Sequence, residues 1–283
     1  MSLNIIFCGS PDFSCEALET LIKIPTDKTI TVITQPDKIR KRGNKIQPTP
    51  VKTLAIKHQL PTYSPQSKEE FENCVKAIHP DIIIVIAYAM IIPKTITDSY
   101  LCVNAHTSLL PKYRGASPIQ AAILNQDKET GICFIHMNEK MDEGNIIAKQ
   151  TVPISQTTTY GDLHNKLASI TASMVKDLIQ NVLQNIPLES SPQDHTQASY
   201  CSKILPSDYK LNPQENIQIT LAKIKAYSPK PGAYIIHNNK HIKILDATIE
   251  SDTLIPTIVQ PEGKKPMAYT DYLLGNKEKI NLC

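Results

Sequence analysis

Two side chains suited to acyl-transfer chemistry, Asn104 and His106, occur where an apolar run ends, in the segment Asn104-Ala105-His106-Thr107-Ser108. Residues i and i+2 of a strand point to the same face, so the amide and the imidazole would converge on one point. Both groups can donate hydrogen bonds to an oxyanion that forms on a tetrahedral carbon. Asn and His at a strand end also commonly do no more than cap a turn, and spacing alone leaves both interpretations open.

A carboxylate in the loop Met141-Asp142-Glu143-Gly144 is a candidate partner for His106. The loop follows a predicted strand over residues 131–137. We expect this strand to end on the same side of the sheet as the strand that ends near His106. A carboxylate bonded to an imidazole fixes the orientation of the ring and favours its charged form. An ordinary Asp-Glu-Gly turn is the alternative.

Several other chemistries lack the residues that they need. His106 has no Cys, His or acidic residue beside it at metal-ligand spacing, so we expect no metal site. The turn Gly9-Ser10-Pro11-Asp12 lacks the remaining glycines of a G-x-G-x-x-G loop, which argues against pyrophosphate binding there. The sequence contains no G-x-S-x-G nucleophile elbow, so covalent catalysis is not suggested.

The elements that must position these residues follow an alternating pattern of strands and helices. Residues 81–87 hold four isoleucines and a valine with no polar alternation, which is typical of a strand buried on both faces of a parallel sheet. The longest helical pattern covers residues 161–185. The sequence therefore predicts an α/β domain over residues 1–186, with a Rossmann-like, doubly wound parallel sheet. Such sheets bind ligands outside the carboxyl ends of their strands.

The pattern changes in the last third of the chain. Residues 187–200 are polar and lack periodicity, which favours a linker. Residues 201–283 contain short β-like runs, at 232–237, 241–247 and 253–259, that follow one helical stretch at 216–226. We expect a small C-terminal β-barrel domain of OB-like type.

Composition restricts the class of protein. Of 283 residues, 41% are hydrophobic and 20% are charged, which excludes a disordered chain. The longest apolar run, Ile82 to Ala87, is far shorter than the roughly 20 residues of a membrane helix, and no signal-peptide pattern precedes the first strand. Seven cysteines without a Cys-x-x-Cys pair indicate a reduced, cytoplasmic protein with no membrane partner.

Positive charge is concentrated in a loop between Pro36 and Lys52, which carries a net charge of +5 although the whole chain carries only +3. The charged residues are Lys38, Arg40, Lys41, Arg42, Lys45 and Lys52, with Asp37 as the one acid. Such a run is often only a solvated surface. This density could also neutralise several phosphates, which would give salt-dependent contact with a nucleic acid.

Longer stretches of the sequence resemble a known family. The segment from Asn104 to Gln120, with Leu109-Leu110-Pro111-Lys112-Tyr113-Arg114-Gly115 at its centre, is similar to the signature of the 10-formyltetrahydrofolate-dependent formyltransferases. The chain is most similar to the members that act on initiator methionyl-tRNA. The match continues in segments spread over nearly the whole chain: residues 6–13, 35–37, 48–52, 87–93, 141–144, 226–233 and 263–267.

The resemblance implies that a formyl group passes from 10-formyltetrahydrofolate to the methionine amine of initiator methionyl-tRNA, for translation initiation. The tetrahedral intermediate would be non-covalent, with Asn104, His106 and Asp142 as catalytic residues and no metal. The implied folate-binding residues are Ser108, Leu109, Leu110, Pro111, Tyr88, Ala89, Met90 and Ile92. The implied contacts with tRNA are Lys38, Arg40, Lys41, Arg42, Lys45 and Arg114. The C-terminal barrel would hold the tRNA from the other side, and the enzyme would be a monomer.

Two departures from the family pattern and two alternative functions remain. Ala89 stands where the family usually has Gly, and Tyr113 stands where it usually has Trp. A formyltransferase or formyltetrahydrofolate hydrolase of the same fold could act on a small amine, such as a nucleotide sugar, or on water, but neither acceptor needs a basic loop. A nucleic-acid-binding module without turnover would leave the convergence of Asn104, His106 and Asp142 unexplained.

Overall fold

The computed structural model describes residues 2–39, 46–276 and 278–282. The strands are β1 (Leu3–Gly9), β2 (Lys28–Ile33), β3 (Lys38–Ile39), β4 (Ile46–Gln47), β5 (Thr62–Tyr63), β6 (Ile82–Ile86), β7 (Cys102–His106), β8 (Arg114–Gly115), β9 (Glu129–His136), β10 (Ile146–Pro153), β11 (Tyr200–Cys201), β12 (Ala233–His237), β13 (Lys240–Glu250), β14 (Thr253–Pro261) and β15 (Met267–Ala268). The helices are α1 (Cys15–Lys23), α2 (Pro50–Lys57), α3 (Lys68–Ile78), α4 (Lys94–Thr97), α5 (Pro118–Leu124), α6 (Tyr160–Leu183), α7 (Ile217–Tyr227) and α8 (Tyr269–Leu274).

The chain divides into two compact units. One unit comprises Met1–Arg114, Gly131–Thr151 and Asn165–Ser199. The other comprises Gly115–Thr130, Val152–His164 and Tyr200–Cys283. Each unit is therefore built from segments that are separated in sequence.

A seven-stranded sheet in the order β10-β9-β7-β6-β1-β2-β5 carries the candidate residues. Strand β6 lies between β1 and β7 and is parallel to both. All five of its residues are buried, as its unbroken run of isoleucine and valine predicts. The chain leaves β1 toward β2 on one side and returns to β6 on the other, which creates the switch point where ligands bind in such sheets.

The sheet is mixed, which corrects the expectation of a parallel sheet. Strand β9 runs antiparallel to β7, with His136 opposite Val103 and Cys133 opposite His106. Strand β9 therefore ends beside the start of β7 and not beside His106. The expectation that both strands end on the same side of the sheet was wrong.

Helices α1 and α3 bury apolar side chains that recur at helical spacing. Helix α1 buries Ala17, Leu18 and Leu21, whereas α3 buries Phe71 and Val75. The Ser67 hydroxyl caps α3 by accepting a hydrogen bond from the backbone N–H of Glu70 at 3.1 Å. Together with the strands, these helices make a Rossmann-like α/β arrangement.

The C-terminal region forms an open antiparallel sheet. Its strand order is β12-β13-β14-β15, and among the described residues the outer strands β12 and β15 are not paired with each other. Helix α7 packs on β13 and also contacts α5. The apolar core of this unit contains Ile224, Tyr227 and Ile244. The antiparallel sheet and its helix confirm the expected all-β character, whereas the described strands do not close into a barrel.

The six described cysteines are free thiols. No helix in the described part of the chain is both long and apolar enough to cross a lipid bilayer.

Candidate active site

Strand β7 places Asn104 and His106 on one face of the sheet, as the two-residue period predicts. The His106 side chain is buried, with 6% of its surface exposed, whereas Asn104 is half-buried. The strand ends at His106, next to the end of β6. Both side chains therefore lie near the carboxyl ends of two parallel strands.

The carboxylate of Asp142 meets both side chains through a single oxygen. Its Oδ1 lies 3.3 Å from Asn104 Nδ2, which donates to it, and 3.5 Å from His106 Nδ1. Both distances exceed the optimum for an N–H···O bond, so neither donor is fully engaged. The three predicted catalytic residues thus come together. They do so although β9 is antiparallel to β7, so that the loop with Asp142 begins at the end of β7 that is far from His106.

The contact of His106 Nε2 with a backbone carbonyl shows which ring nitrogen carries a hydrogen. His106 Nε2 lies 2.8 Å from the Tyr113 carbonyl oxygen, which can only accept, so Nε2 must carry a hydrogen. The neutral ring would then present an unprotonated Nδ1 to the carboxylate, and two lone pairs would face each other. A proton between His106 Nδ1 and Asp142 Oδ1 removes that repulsion.

The segment after β7 folds tightly beneath the site. Ser108 is fully buried, and its hydroxyl donates to the Lys112 carbonyl at 2.5 Å. The Leu110–Pro111 peptide bond is cis. Tyr113, whose carbonyl accepts from His106, has a left-handed φ of 58°. The turn therefore directs a main-chain acceptor at His106.

A cysteine opposite His106 on β9 is unsuited to nucleophilic chemistry. Burial raises the pKa of the Cys133 thiol to about 11, so the thiol is protonated at neutral pH. Cys133 packs with Leu110 and Ile135 in a small apolar cluster. Its surroundings therefore agree with the absence of a nucleophile motif from the sequence.

The loop that carries Asp142 is held in an unusual backbone conformation. Asp142 has a φ of 58°, a left-handed value that is uncommon for residues other than Gly. Two residues on, a Cβ on Gly144 would lie 1.6 Å from the His136 carbonyl oxygen. Only glycine permits this approach of the loop to the end of β9, so Gly144 is needed to return Asp142 toward β7.

Arg114, predicted to contact tRNA, is instead buried behind the Asp142 loop. Only 2% of its side chain is exposed, and its Nη1 pairs with Glu143 Oε1 at 3.2 Å. Its Nε and Nη2 donate to Gln193 Oε1 at 3.2 and 2.7 Å. A guanidinium enclosed in this way supports the loop from inside.

The predicted folate-binding residues of the segment after β6 differ in exposure. Tyr88 is buried against Phe71, and burial raises the pKa of its phenol, which stays neutral. Ile92 is also buried, Met90 is half-buried, and Ala89 is exposed. Ala89 has a φ of 63°, which explains why glycine would fit this position well.

The basic loop is described only at its two ends. Lys38 lies on β3, which pairs with β4. Lys52 forms an ion pair with Asp37 at 2.8 Å, which joins the start of β3 to helix α2. The predicted contacts Arg40, Lys41, Arg42 and Lys45 lie outside the described residues.

Sequence reasoning missed the Tyr113 carbonyl, Glu143 and Gln193. Gln193 is 6% exposed and donates from Nε2 to the carbonyl oxygens of Asp142 and Gly144, both at 2.8 Å. Its only sequence signal is a position within a polar segment, 187–200, that was expected to be a linker. A contact over 51 residues has no local pattern that could predict it.

No group of three or more His, Cys, Asp or Glu side chains that could hold a metal ion occurs in residues 2–39, 46–276 and 278–282. The site is thus a carboxylate, an imidazole and an amide on a Rossmann-like sheet. Residues 3–179 match the family model described as formyl transferase. The chain belongs to this family.

Relatives and solved structures agree with that assignment. A protein of Staphylococcus epidermidis named methionyl-tRNA formyltransferase is 34% identical, over 98% of this chain and 97% of that protein. The methionyl-tRNA formyltransferase structure from Clostridium thermocellum has a TM-score of 0.64 at 20% identity, covering 92% of this chain and 98% of that one. An N-formyltransferase from Helicobacter canadensis, in complex with folinic acid and dTDP-3-aminofucose, has a TM-score of 0.67 at 22% identity, covering 95% and 99%. At these identities the two structures support the fold.

Replacing Gly144 by Ala should lower the free energy of unfolding by about 1–3 kcal/mol, because the new methyl group collides with the His136 carbonyl. Gly275→Ala is the matched control, since nothing lies within 4 Å of its Cβ position, and it should change stability by less than about 0.5 kcal/mol. Denaturant unfolding measures both. Equal effects of the two substitutions would contradict the close approach at Gly144.

Proposed function

We propose that the chain transfers the formyl group of 10-formyltetrahydrofolate to the amine of methionine on initiator methionyl-tRNA. The convergence of Asn104, His106 and Asp142 on one face of β7 is the observation that carries the proposal. A carbon–nitrogen bond forms between the methionine amine and the formyl carbon, while the bond from that carbon to N10 of the donor breaks. The amine loses a proton and N10 gains one.

Asn104 and His106 provide the two donors for the charge that develops on the formyl oxygen. Asn104 Nδ2 has two hydrogens, and its bond to Asp142 uses one of them. His106 Nδ1, when it carries a proton, points at the same region. An oxyanion beside these two nitrogens would receive the second hydrogen of Asn104 and would share the single Nδ1 hydrogen with Asp142, whose contact with Nδ1 is long at 3.5 Å.

Asp142 handles the proton and keeps His106 oriented. Its carboxylate holds the proton on His106 Nδ1, while the Tyr113 carbonyl keeps the other proton on Nε2. The carboxylate accepts the amine proton through a water molecule and returns it through water to N10 as the bond from the formyl carbon to N10 breaks. Since no side chain forms a bond with the formyl carbon, much of the acceleration must come from holding two substrates in line.

The surface around the site fits a flat, partly apolar donor. Ile91 is 66% exposed, although it is a large apolar residue, and Ala89, two residues before it, is also exposed. Leu109, after the end of β7, is half-exposed. A pterin ring that covered these side chains would bury apolar surface next to Asn104 and His106. The proposed folate-binding segments are therefore 88–92 and 108–111.

The acceptor is assigned from charge and from the names of relatives. The density of positive residues between Pro36 and Lys52 suits the phosphates of tRNA better than a small amine. We include residues 201–283 in the tRNA contact, as an OB-like domain. In the proposal the enzyme acts as a monomer in the cytoplasm.

The direct test is formyl transfer with several acceptors assayed in parallel. The donor is 10-formyltetrahydrofolate, and the acceptors are initiator methionyl-tRNA, elongator methionyl-tRNA, free methionine and a nucleotide amino sugar. Transfer to the initiator species alone is expected. Transfer to the amino sugar would show that the chain is a formyltransferase that acts on small amines. Release of formate without transfer would show that it is a formyltetrahydrofolate hydrolase.

Asn104→Ala should lower kcat by about 100- to 1000-fold, because one donor to the developing oxyanion is lost. The KM values for both substrates should stay within about 2-fold, since the bond strengthens mainly in the transition state. Asn73→Ala, on the exposed face of α3, is the control and should behave like the unmodified enzyme. A change in KM with no change in kcat would show that Asn104 does not stabilise the transition state.

Replacing Lys41, Arg42 and Lys45 together by Gln should raise the KM for tRNA several-fold and flatten its dependence on salt, because fewer counterions are released on binding. The kcat and the KM for the folate should not change. The control is a variant with Gln in place of Lys68, Lys166 and Lys176, which are exposed on α3 and α6. It removes the same number of positive charges at positions outside the basic loop. If both triple variants respond to salt in the same way, the loop has no special role.

A further inference from the structure

A buried glutamine links the catalytic carboxylate to the polar segment near the end of the first unit. Gln193 Nε2 donates at 2.8 Å to the carbonyl oxygens of Asp142 and Gly144. The two carbonyls flank Glu143, so one side chain holds the turn at both ends. Both hydrogens of the Gln193 amide are used in this way.

The carbonyl end of the same amide is also engaged. Gln193 Oε1 accepts from Nε and Nη2 of Arg114, at 3.2 and 2.7 Å. Arg114 in turn pairs with Glu143 of the same turn at 3.2 Å. The turn, the guanidinium and the amide therefore form a closed ring of hydrogen bonds, of which those from Arg114 are charge-assisted. Both Gln193 and Arg114 are more than nine-tenths buried.

The segment that carries Gln193 also contacts the other side of the site. The Ser199 hydroxyl accepts from the Tyr113 backbone N–H at 2.9 Å, and the Ser199 carbonyl accepts from the Arg114 N–H at 2.9 Å. Ser191 exchanges two backbone hydrogen bonds with Ile146. Residues 191–199 thus hold both the turn that presents the Tyr113 carbonyl to His106 and the turn that carries Asp142.

We propose that Gln193 is a positioning residue that fixes the Asp142 carboxylate between Asn104 and His106. This role rests on the proposed formyl transfer. Asp142 is left-handed at φ 58°, so its turn needs support from the surrounding structure. Gln193 supplies that support through backbone carbonyls, and it therefore acts on the reaction only through Asp142.

Gln193→Glu separates the two halves of the interaction. The new carboxylate still accepts hydrogen bonds from Arg114. It has no N–H to donate, so both bonds to the Asp142 and Gly144 carbonyls are lost, and one of its oxygens faces those carbonyl oxygens. We expect kcat to fall about 10- to 100-fold, because displacement of a catalytic group by about 1 Å has effects of this size. The KM for each substrate should stay within about 2-fold.

Gln180→Glu makes the same change at an exposed position of α6 and should leave kcat unchanged. Gln193→Met is the second variant, since it removes the hydrogen bonds without adding a charge and keeps a similar side-chain volume. It should show the same loss of kcat if Gln193→Glu folds poorly. Thermal unfolding of each variant identifies any loss that comes from instability.

A double-variant cycle distinguishes positioning from a general structural role. In an Asp142→Ala background, a Gln193 substitution should change kcat by less than about 2-fold, because its target is gone. The same 10- to 100-fold loss in that background would overturn the proposal, as would unchanged kcat in single variants that fold. Absence of formyl transfer by the unmodified enzyme would instead refute the proposed function.

Discussion

The site depends on the placement of one carboxylate oxygen. Asp142 Oδ1 is the point at which the Asn104 amide and the His106 ring meet, although Asp142 belongs to a loop that leaves the sheet at the far end of β7. To return, the loop passes close to β9 at Gly144 and adopts a left-handed backbone at Asp142. Without that return, strand β7 would present an amide and an imidazole with no group to order them.

The buried side chains of Arg114 and Gln193 both support the loop that carries Asp142. Arg114 and Gln193 would each be costly to bury alone, but they satisfy each other, and Arg114 also pairs with the partly exposed Glu143. Their hydrogen bonds end on the backbone that carries Asp142, so their desolvation is offset by hydrogen bonds that also fix the turn. The same arrangement makes the site sensitive to loss of any one member, since the remaining groups would stay buried without their partners.

The sequence correctly predicted that Asn104 and His106 lie together, and for the right physical reason. It also predicted that Asp142 lies near them, but for a wrong reason. A two-residue period places Asn104 and His106 on one face, and β7 confirms this. The expected proximity of Asp142 assumed a parallel β9, whereas the strand is antiparallel and the loop brings the carboxylate back. A short run of strand-forming residues carries no information on strand direction, so the sequence could not decide between a parallel and an antiparallel β9.

The rest of the site escaped prediction because it depends on contacts between distant residues. Nothing in the sequence near Arg114 indicates its ion pair with Glu143 or its hydrogen bonds with Gln193, and Gln193 lies in a segment whose polarity suggests a linker. The strands at residues 81–87 and 131–137 and the long helix at residues 161–185 were predicted from their apolar pattern, which is a local property. Hydrogen bonds between loops have no period and were missed.

The most direct test of this arrangement is the ¹⁵N spectrum of the His106 ring. Because the Tyr113 carbonyl oxygen can only accept a hydrogen bond, the spectrum should show a hydrogen on Nε2. A neutral ring protonated on Nδ1, with a bare Nε2, would contradict the account of how the carboxylate, the imidazole and the amide work together.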